Sequence, residues 1–414
     1  MNRNKKPTRT LTLIGLTVLA TVVVRGATAE VSRVSLNGTV AETIKAQEVK
    51  DSQWFAYDVE MEPGNGMPCC YQRDGEAKCE LDKKGKYYGG INKGKLGDSK
   101  NLTVYLKKER GGIARLLSVG DACKVESNGI SVTYLEKVSQ KESLLFLDDL
   151  MVKSDHDASP NNVKHAALAS IAWHKGKKAH QLLEEYSKGN DTKYRKQAIF
   201  WLGQARNKAG YHSLNDILQE SKRTLSDKKK AIFALSENSY PKSVDKLIAL
   251  AKKHENKTLR AEALFWLANK NAPKALSTIQ TVIAKENSKY VLEKAVFALS
   301  QVESDDAWKL LLAYAKQHSK TVVREKAIFW LSQNKERNAL PVLMEIAEGK
   351  DARKVRESAV FSISQLDKEY ATKGLIQLIK NDNPKFIKQK AIFWLGQSDE
   401  PEALDYFASV LAKH

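Results

Sequence analysis

Four tryptophans recur at nearly even spacing from residue 201 onward, each inside almost the same nine-residue phrase. The phrase reads KQAIFWLGQ at residues 196–204 and returns in close variants at 261–269, 325–333 and 389–397. An indole ring combines a large apolar surface with one N–H donor, so tryptophan is favoured in binding surfaces. The chemistry to which these residues point is recognition of a partner. The four residues are Trp201, Trp266, Trp330 and Trp394.

Related phrases at 229–237, 293–301 and 357–365 lie between them, with a small residue in place of the tryptophan. The alanine at the third position of each phrase is a marker, and the markers are separated by 32 residues, except for a first step of 33. A fixed period of this length predicts stacked supersecondary units. The markers are Ala198, Ala231, Ala263, Ala295, Ala327, Ala359 and Ala391, with a fainter copy at Ala167.

Each phrase is followed by a second helical pattern, such as SVDKLIALAKKH at 243–254, and by breakers such as NDNP and SDEP. Each unit is therefore predicted to be a helical hairpin. A single hairpin cannot bury its apolar face alone, so the hairpins are expected to stack into a ribbon.

At about 100° per residue, the tryptophan borders the one polar stripe of an otherwise apolar helix. Two interpretations of the alternating tryptophans remain open: packing of each indole over the small residue of a neighbouring unit, or a concave groove that the indoles line together. The candidate groove residues are Trp201, Trp266, Trp330, Trp394, Gln204, Gln333, Gln397, Lys230, Lys294, Lys326 and Lys390.

A basic residue stands three positions before nearly every marker alanine. A positive charge near a helix start is unfavourable against the helix dipole, so we expect these side chains to have partners in adjacent loops. The residues are Arg195, Lys228, Arg260, Arg324, Arg356 and Lys388, with Leu292 as the exception. Helix N-caps are expected at Asp191, Asp227, Asn256, Asp351 and Asn383.

All four cysteines lie early in the chain. In an oxidising compartment four cysteines predict two disulfides. A link between neighbouring cysteines would be strained, so we expect Cys69 and Cys70 each to pair with Cys79 or Cys123. A tetrathiolate metal site is the alternative, but the spacing lacks a pair of CxxC motifs.

Catalytic patterns are not found in the sequence. HExxH and GxSxG do not occur, and His165, His174 and His180 lack metal-ligand spacing and are expected near the surface. GGINKGKL at 89–96 has Leu96 where a phosphate-binding loop needs Ser or Thr, so it is interpreted as a basic turn. We predict no enzyme activity, no cofactor and no metal.

The first 29 residues have the pattern of a cleavable signal peptide. A basic start precedes an apolar run from Leu11 to Val24, and Ala27-Thr28-Ala29 follows as the cleavage site. Retention of this segment in the membrane without cleavage is the alternative. Cleavage removes five basic residues and no acidic one, so the net charge falls from +19 by five, to +14. That charge favours anionic partners.

Residues 30–140 differ in pattern from the repeats. Short β-rich runs, including WFAYDVEM at 54–61 and LTVYLKK at 102–108, are separated by turns rich in Gly, Asn and Pro. The predicted fold is α+β, with a small disulfide-linked β-rich domain at 30–140 and an all-α solenoid of seven to eight hairpins at 141–414.

The repeat phrases resemble short HEAT-like repeats, the type also found in phycobilin lyases. The resemblance rests on the basic residue, the alanine, an aliphatic residue, a leucine and a small residue, which are Arg195, Ala198, Ile199, Leu202 and Gly203 in the first full unit. It covers about residues 142–414 and implies an α-solenoid. A phenylalanine two positions after each of the seven full markers departs from the pattern and suggests a subgroup of exported bacterial HEAT-repeat proteins of unknown role.

The sequence favours a periplasmic or secreted protein that binds a protein or an extended peptide. Two alternatives are a binder of anionic polymers, lipopolysaccharide or phospholipid headgroups, and a lyase-like enzyme that acts on a pigment. Nucleic acid is disfavoured as a partner because the chain is expected to be exported, and no transmembrane anchor is expected after processing.

Overall fold

The structure is a computed structural model. It describes residues 31–49, 51–63, 67–73, 76–82, 90–92, 99–110, 112–127, 129–153 and 163–412. The chain divides into two compact units, Met1–Asp216 and Ile217–His414. The predicted signal peptide and most of the GGINKGKL turn lie outside the described residues.

Ten strands occur within the described part of the chain, all of them in the first unit. They are β1 (Val31–Ser35), β2 (Ser52–Glu60), β3 (Met67–Cys69), β4 (Tyr71–Arg73), β5 (Glu76–Glu80), β6 (Gly90–Asn92), β7 (Asn101–Glu109), β8 (Gly112–Gly120), β9 (Lys124–Glu126) and β10 (Val132–Glu136). The main sheet has the order β1-β10-β2-β7-β8, in which β10 is parallel to both of its neighbours and the other pairs are antiparallel.

Strand β2 lies at the centre of this sheet and is buried on both faces. Trp54 and Ala56 face a layer that contains the cysteines, and Tyr57, on the opposite face, contacts the helix that follows the sheet. Because successive side chains of a strand point to opposite faces, the run Trp54 to Tyr57 must be apolar throughout. The sheet is therefore a middle layer between the disulfide layer and the first helices.

Two disulfides hold the outer layer together. Cys69 pairs with Cys123 at a Cα–Cα distance of 5.7 Å, and Cys70 pairs with Cys79 at 4.8 Å. The prediction that the two adjacent cysteines pair with Cys79 and Cys123 is confirmed. All four thiols are consumed in these bonds, so they cannot hold the alternative tetrathiolate metal site.

The other regular elements of the described chain are helices. In the first unit they are α1 (Val40–Ala46), α2 (Gln140–Lys153), α3 (Val163–Trp173), α4 (Lys177–Lys188) and α5 (Thr192–Ala205), and α6 (Asn207–Gln219) crosses the division between the units. The second unit contains α7 (Leu225–Glu237), α8 (Lys242–Lys253), α9 (Lys257–Asn269), α10 (Ala275–Lys285), α11 (Lys289–Ser300), α12 (Asp305–Gln317), α13 (Thr321–Ser332), α14 (Leu340–Glu348), α15 (Arg353–Ser364), α16 (Lys368–Lys380), α17 (Lys385–Leu395) and α18 (Pro401–Leu411).

Every marker alanine lies on an odd-numbered helix from α3 to α17, and each is fully buried. A methyl group at this position lets neighbouring helices approach closely, within the 8 to 10 Å range of packed helices. The predicted α+β fold, with an all-α repeat region after a β-rich region, is confirmed. No helix in the described ranges is long and apolar enough to cross a membrane.

The four arginines before the markers have partners of the kind that the sequence predicts. Arg195 donates to the carbonyl oxygens of Gly189 and Asn190 at 3.0 and 3.1 Å, where helix α4 ends. Arg260 does the same for His254 at the end of α8, at 2.8 Å. Each guanidinium thus satisfies carbonyl groups that the end of the preceding helix leaves unpaired, where the helix dipole favours a positive charge.

Arg324 on α13 and Arg356 on α15 repeat this arrangement with the ends of α12 and α14. Arg324 donates to the Ala315 carbonyl at 3.1 Å, and Arg356 donates to the Ala347 carbonyl at 2.8 Å. Arg324 also forms a two-point ion pair with Asp351, at 2.8 and 2.6 Å. The hydrogen bond from Arg324 lowers the pKa of the Asp351 carboxyl below its ordinary value.

The predicted N-caps are confirmed at two positions and wrong at three. Asp191 and Asn256 cap helices α5 and α9. Asp227 lies inside helix α7, and the residue that caps this helix is Thr224, whose side chain accepts from the Asp227 N–H. The other two do not cap: Asp351 is held by Arg324, and Asn383 donates to the Leu378 carbonyl at 3.0 Å.

His174 is fully buried, so the expectation that it lies near the surface is wrong. Its Nδ1 lies 2.7 Å from the Ser170 carbonyl oxygen, to which it must donate, and its Nε2 lies 2.8 Å from the Ser143 hydroxyl. The Ser143 hydroxyl in turn lies 2.9 Å from that of Tyr57 on β2. Burial lowers the pKa of His174 to about 4, so the ring is neutral at pH 7.

Replacement of Ala327 by Leu should destabilise the second unit, because the fully buried methyl has no room for three more carbons. We expect a cost of about 1–3 kcal/mol, as for other overpacked cores. Thermal unfolding followed by circular dichroism should show a lower midpoint for A327L. The control A313L places the same side chain on an exposed position of α12. Equal midpoints for the two variants would contradict the close-packing role of the markers.

The first unit should lose stability as pH falls from 6.5 to 4. Over this range the unfolded chain protonates His174 whereas the folded chain does not, because the folded pKa is about 4 against an ordinary 6.5. This difference corresponds to about 3 kcal/mol. Hydrogen exchange of β2 amides, measured as a function of pH, should show a shallower loss in H174Q than in the wild type.

The exposed His212 provides the matched control for this measurement. H212Q should keep the full wild-type loss of stability, because it removes an exposed imidazole and leaves the buried His174 in place. Identical pH slopes for H174Q and the wild type would show that His174 is not the group responsible.

Candidate functional site

Nine aromatic rings form a continuous chain of contacts across the second unit, and we name this chain the aromatic ladder. It runs over the odd-numbered helices from α7 to α17. In order of contact, its members are Phe233, Trp266, Phe265, Phe297, Trp330, Phe329, Phe361, Trp394 and Phe393.

Two kinds of contact join neighbouring helices in the ladder. In the first, a tryptophan packs on the phenylalanine of the preceding odd-numbered helix. The centroid distances are 4.4 Å for Phe233–Trp266, 4.7 Å for Phe297–Trp330 and 5.1 Å for Phe361–Trp394. In the second, two phenylalanines stack nearly parallel, at 5.9 Å for Phe265–Phe297 and 6.4 Å for Phe329–Phe361.

These contacts explain why large and small residues alternate. A tryptophan that packs on the preceding phenylalanine needs space beside it, and the preceding helix carries Ala234, Ala298 or Ser362 at the equivalent position. These three small residues are fully or almost fully buried. Offset and edge-to-face ring pairs of this kind contribute about 0.5–1.5 kcal/mol beyond their buried area.

The ladder is only partly covered. Trp266, Trp330 and Trp394 are half-buried, and Phe393 at the end is 55% exposed. By contrast, Trp54 and Trp173 in the first unit are 1% exposed. The ladder is therefore partly exposed to solvent along the second unit.

The predicted lysines beside the ladder differ in their surroundings. Lys230 Nζ lies 4.4 Å from the centroid of the Phe233 ring, and Lys326 forms an ion pair with Glu293 of the preceding odd-numbered helix at 3.8 Å. Lys294 and Lys390 are exposed.

Further ion pairs cross the same row of helices. Lys229 pairs with Glu262 at 3.0 Å, and Glu262 also accepts a hydrogen bond from the Trp266 indole at 3.0 Å. Lys354 pairs with Glu325 at 2.9 Å. The polar stripe is therefore made of alternating charges that link neighbouring helices, with single exposed lysines between them.

The predicted amides are divided between the surface and the interior. Gln333 and Gln397 are exposed, and Gln333 Nε2 donates to the Ser332 hydroxyl at 3.3 Å. Gln204 is 2% exposed and lies in the first unit. Gln333 and Gln397 can offer donors and acceptors to a partner, whereas Gln204 cannot reach one.

Trp201 is also buried in the first unit, at 5% exposure. Its ring meets that of Trp173 edge to face at a centroid distance of 6.0 Å, and it contacts Phe200 at 5.0 Å. Its indole N–H has no hydrogen-bond partner in the described part of the chain. Trp201 therefore serves packing and is not part of the exposed ladder.

A cavity of about 700 Å³ lies beside the ladder, and sequence reasoning did not predict it. It opens between the ends of α11 and α13 and the start of α12. Trp330 lines it together with Trp308 and Arg337. The available signal in the sequence was Trp308, a tryptophan that lies outside the repeated phrase.

Ser213, His180 and Glu184 lie together in the first unit, which the sequence also did not indicate. The Ser213 hydroxyl donates to Glu184 at 2.7 Å and lies 3.1 Å from His180 Nε2. In a nucleophilic triad the carboxylate orients the other ring nitrogen, but His180 Nδ1 is buried without a partner among the described residues. The cluster links helices α4 and α6. It lacks the hydrogen-bond sequence from carboxylate to imidazole to hydroxyl that acyl transfer needs.

No group of three or more His, Cys, Asp or Glu side chains that could hold a metal ion occurs in the described ranges.

Comparison with known proteins agrees with the repeated architecture. The family profile for HEAT repeats matches residues 244–332 and 308–393. No curated protein sequence matches the chain.

Several solved structures resemble the chain at low identity. Lipovitellin has a TM-score of 0.45 and 12% identity, over 77% of this chain and 40% of that one. The complex of CpcE and CpcF of phycocyanin lyase from Nostoc has a TM-score of 0.29 and 17% identity, over 55% and 92%. Human deoxyhypusine hydroxylase has a TM-score of 0.25 and 15% identity, over 61% and 96%.

These identities are too low to transfer an activity from any of the three proteins. HEAT repeats suggest an interaction or scaffold solenoid. The helical hairpins and the profile match show HEAT-like repeats within residues 244–393.

Proposed function

We propose that the protein is an exported, non-catalytic binding module whose second unit holds a segment of a partner protein, or an extended peptide, along the aromatic ladder. The observation that carries this proposal is the continuity of half-buried rings over six helices. Rings needed only for packing would be covered as fully as Trp54 and Trp173.

The position of the ladder within the second unit supports the proposal. Each odd-numbered helix of this unit packs closely on the next odd-numbered helix, whereas the even-numbered helices pack less closely on one another. In a stack of hairpins the more closely packed row lies on the inner arc. The ladder therefore belongs to the row expected to form the concave side, where repeat proteins bind extended partners.

The polar groups beside the ladder suit a peptide backbone. Gln333 and Gln397 offer amide donors and acceptors, and Lys294 and Lys390 offer exposed positive charges. Aromatic anchors surrounded by such groups are typical of interface hot spots. A peptide in extended form spans about 3.3 Å per residue, so roughly three residues would match one spacing of 8 to 10 Å between helices.

Two observations support export. The disulfides are compatible with an oxidising compartment outside the cytoplasm. The first 29 residues carry the pattern of a signal peptide. We accordingly propose a periplasmic or secreted location.

A second candidate function follows from charge alone. The net charge of +19, or +14 after the proposed cleavage, favours an anionic polymer or lipid headgroup. Cross-helix ion pairs such as Lys229–Glu262 offset part of the charge at the ladder itself. Peptide binding is therefore the better supported function for this surface.

Substitution of Trp266 by Ser should weaken binding of peptides selected on the wild-type protein from a random display library. Truncation of an interface tryptophan commonly costs about 2 kcal/mol, which is roughly thirtyfold in Kd. Fluorescence anisotropy of labelled peptides would measure this change. The control Y290S removes an aromatic ring that is exposed on α11 but is not a member of the ladder.

Circular dichroism would confirm that W266S is folded before its affinity is interpreted. The proposal fails if W266S and Y290S bind the selected peptides equally well. It also fails if selection yields only acidic peptides that are released between 50 and 200 mM salt, a steep dependence typical of phosphate-like polyanion binding. That result would favour the anionic-polymer function.

A further inference from the structure

The cavity beside the ladder has more acidic than basic side chains in its walls. In a chain with a net charge of +19, its lining includes three carboxylates, Glu303, Asp305 and Glu336, and one guanidinium, Arg337. The local charge is thus opposite in sign to that of the whole chain. Such a cavity favours a cation over an anion.

Two helix ends add to this negative potential. Helix α11 ends at Ser300 and helix α13 ends at Ser332, and residues at both ends line the cavity or lie next to it. The carbonyl end of a helix carries a partial negative charge. Neither helix has a basic residue in its last turn to offset that charge.

Two indole rings complete the walls. Trp308 comes from α12 and Trp330 from α13, and both are half-buried rather than covered. The face of an indole attracts a cation within about 6 Å of the ring centroid. Carboxylates beside indole rings are a combination that guanidinium and ammonium groups prefer.

The protein already binds one guanidinium in this manner. The Cζ atom of Arg337 lies 5.4 Å from the Trp308 ring centroid, and its Nη2 donates to Asp305 at 2.5 Å. Arg337 forms part of the wall, and about 700 Å³ of space remains beside it. Arg337 thus shows that Trp308 and Asp305 can hold a guanidinium group. It also competes with an incoming cation for these two residues.

We propose that this cavity is a specificity pocket for a basic side chain, an arginine or lysine, of the peptide that lies on the aromatic ladder. Trp330 belongs to both the ladder and the cavity wall, so a chain following the ladder passes the cavity mouth. The inference rests on the proposed function for the identity of the partner. The chemistry of the pocket can be tested without that partner.

N-acetylarginine amide and N-acetylcitrulline amide are the probes, because citrulline has nearly the shape of arginine without its charge. Binding to the full chain would be followed by the shift of indole N–H signals in NMR spectra. We expect saturable binding of the arginine probe and at least about tenfold weaker binding of the citrulline probe. Equal binding of both probes, or no binding of either, would overturn the proposal.

Two variants separate recognition from a merely structural role. R337Q removes the internal competitor and should bind the arginine probe several-fold more tightly than the wild type. W308L should bind it several-fold more weakly, because one indole ring of the wall is lost. The matched control R353Q changes an exposed arginine, paired with Glu357 outside the cavity, and should leave probe affinity unchanged.

Weaker probe binding by R337Q than by the wild type would contradict the competitor role and overturn the pocket. Failure of the pocket and failure of the ladder remain distinguishable. If W266S keeps wild-type affinity for selected peptides while the arginine probe still binds, the ladder function fails alone. If selected peptides depend on Trp266 but the two probes bind alike, the pocket fails alone.

Discussion

The close approach of the odd-numbered helices at the marker alanines is the constraint on which the second unit depends. Each hairpin can bury its apolar side only against its neighbours, and the fully buried alanines set how near those neighbours come. This spacing brings the rings two and three positions later on the helix into contact across the interface. The same register places an arginine at the carbonyl end of the preceding helix.

Much of this arrangement follows from the sequence, because it repeats. The period, the helical hairpins, the presence of two disulfides and the need of the basic residues for partners could be derived from residue types and spacing. Which of the two adjacent cysteines pairs with Cys123 could not. The direction in which each tryptophan packs could not, since the helical wheel gives the face but not the neighbour. Pairings between loops, such as Arg337 with Trp308, depend on contacts that occur once and leave no periodic signal.

The surroundings of individual polar side chains could not be predicted from the sequence either. Three histidines lie close together in the sequence, yet His174 is buried between Ser143 and Ser170 while His165 is exposed. Only the way α3 packs under the sheet separates these two environments. Likewise Asp227 and Asp351 have the residue type of helix caps, but a neighbouring threonine and an arginine determine their actual roles.

The alternation of tryptophan and small residues has a consequence for how such an array can grow. Any two adjacent hairpins share a backbone pattern, but the ring contacts repeat only after two of them, about every 64 residues. Duplication or deletion of a single hairpin would place two tryptophans, or two small residues, side by side. Gene changes that preserve the interface must therefore add or remove hairpins in pairs.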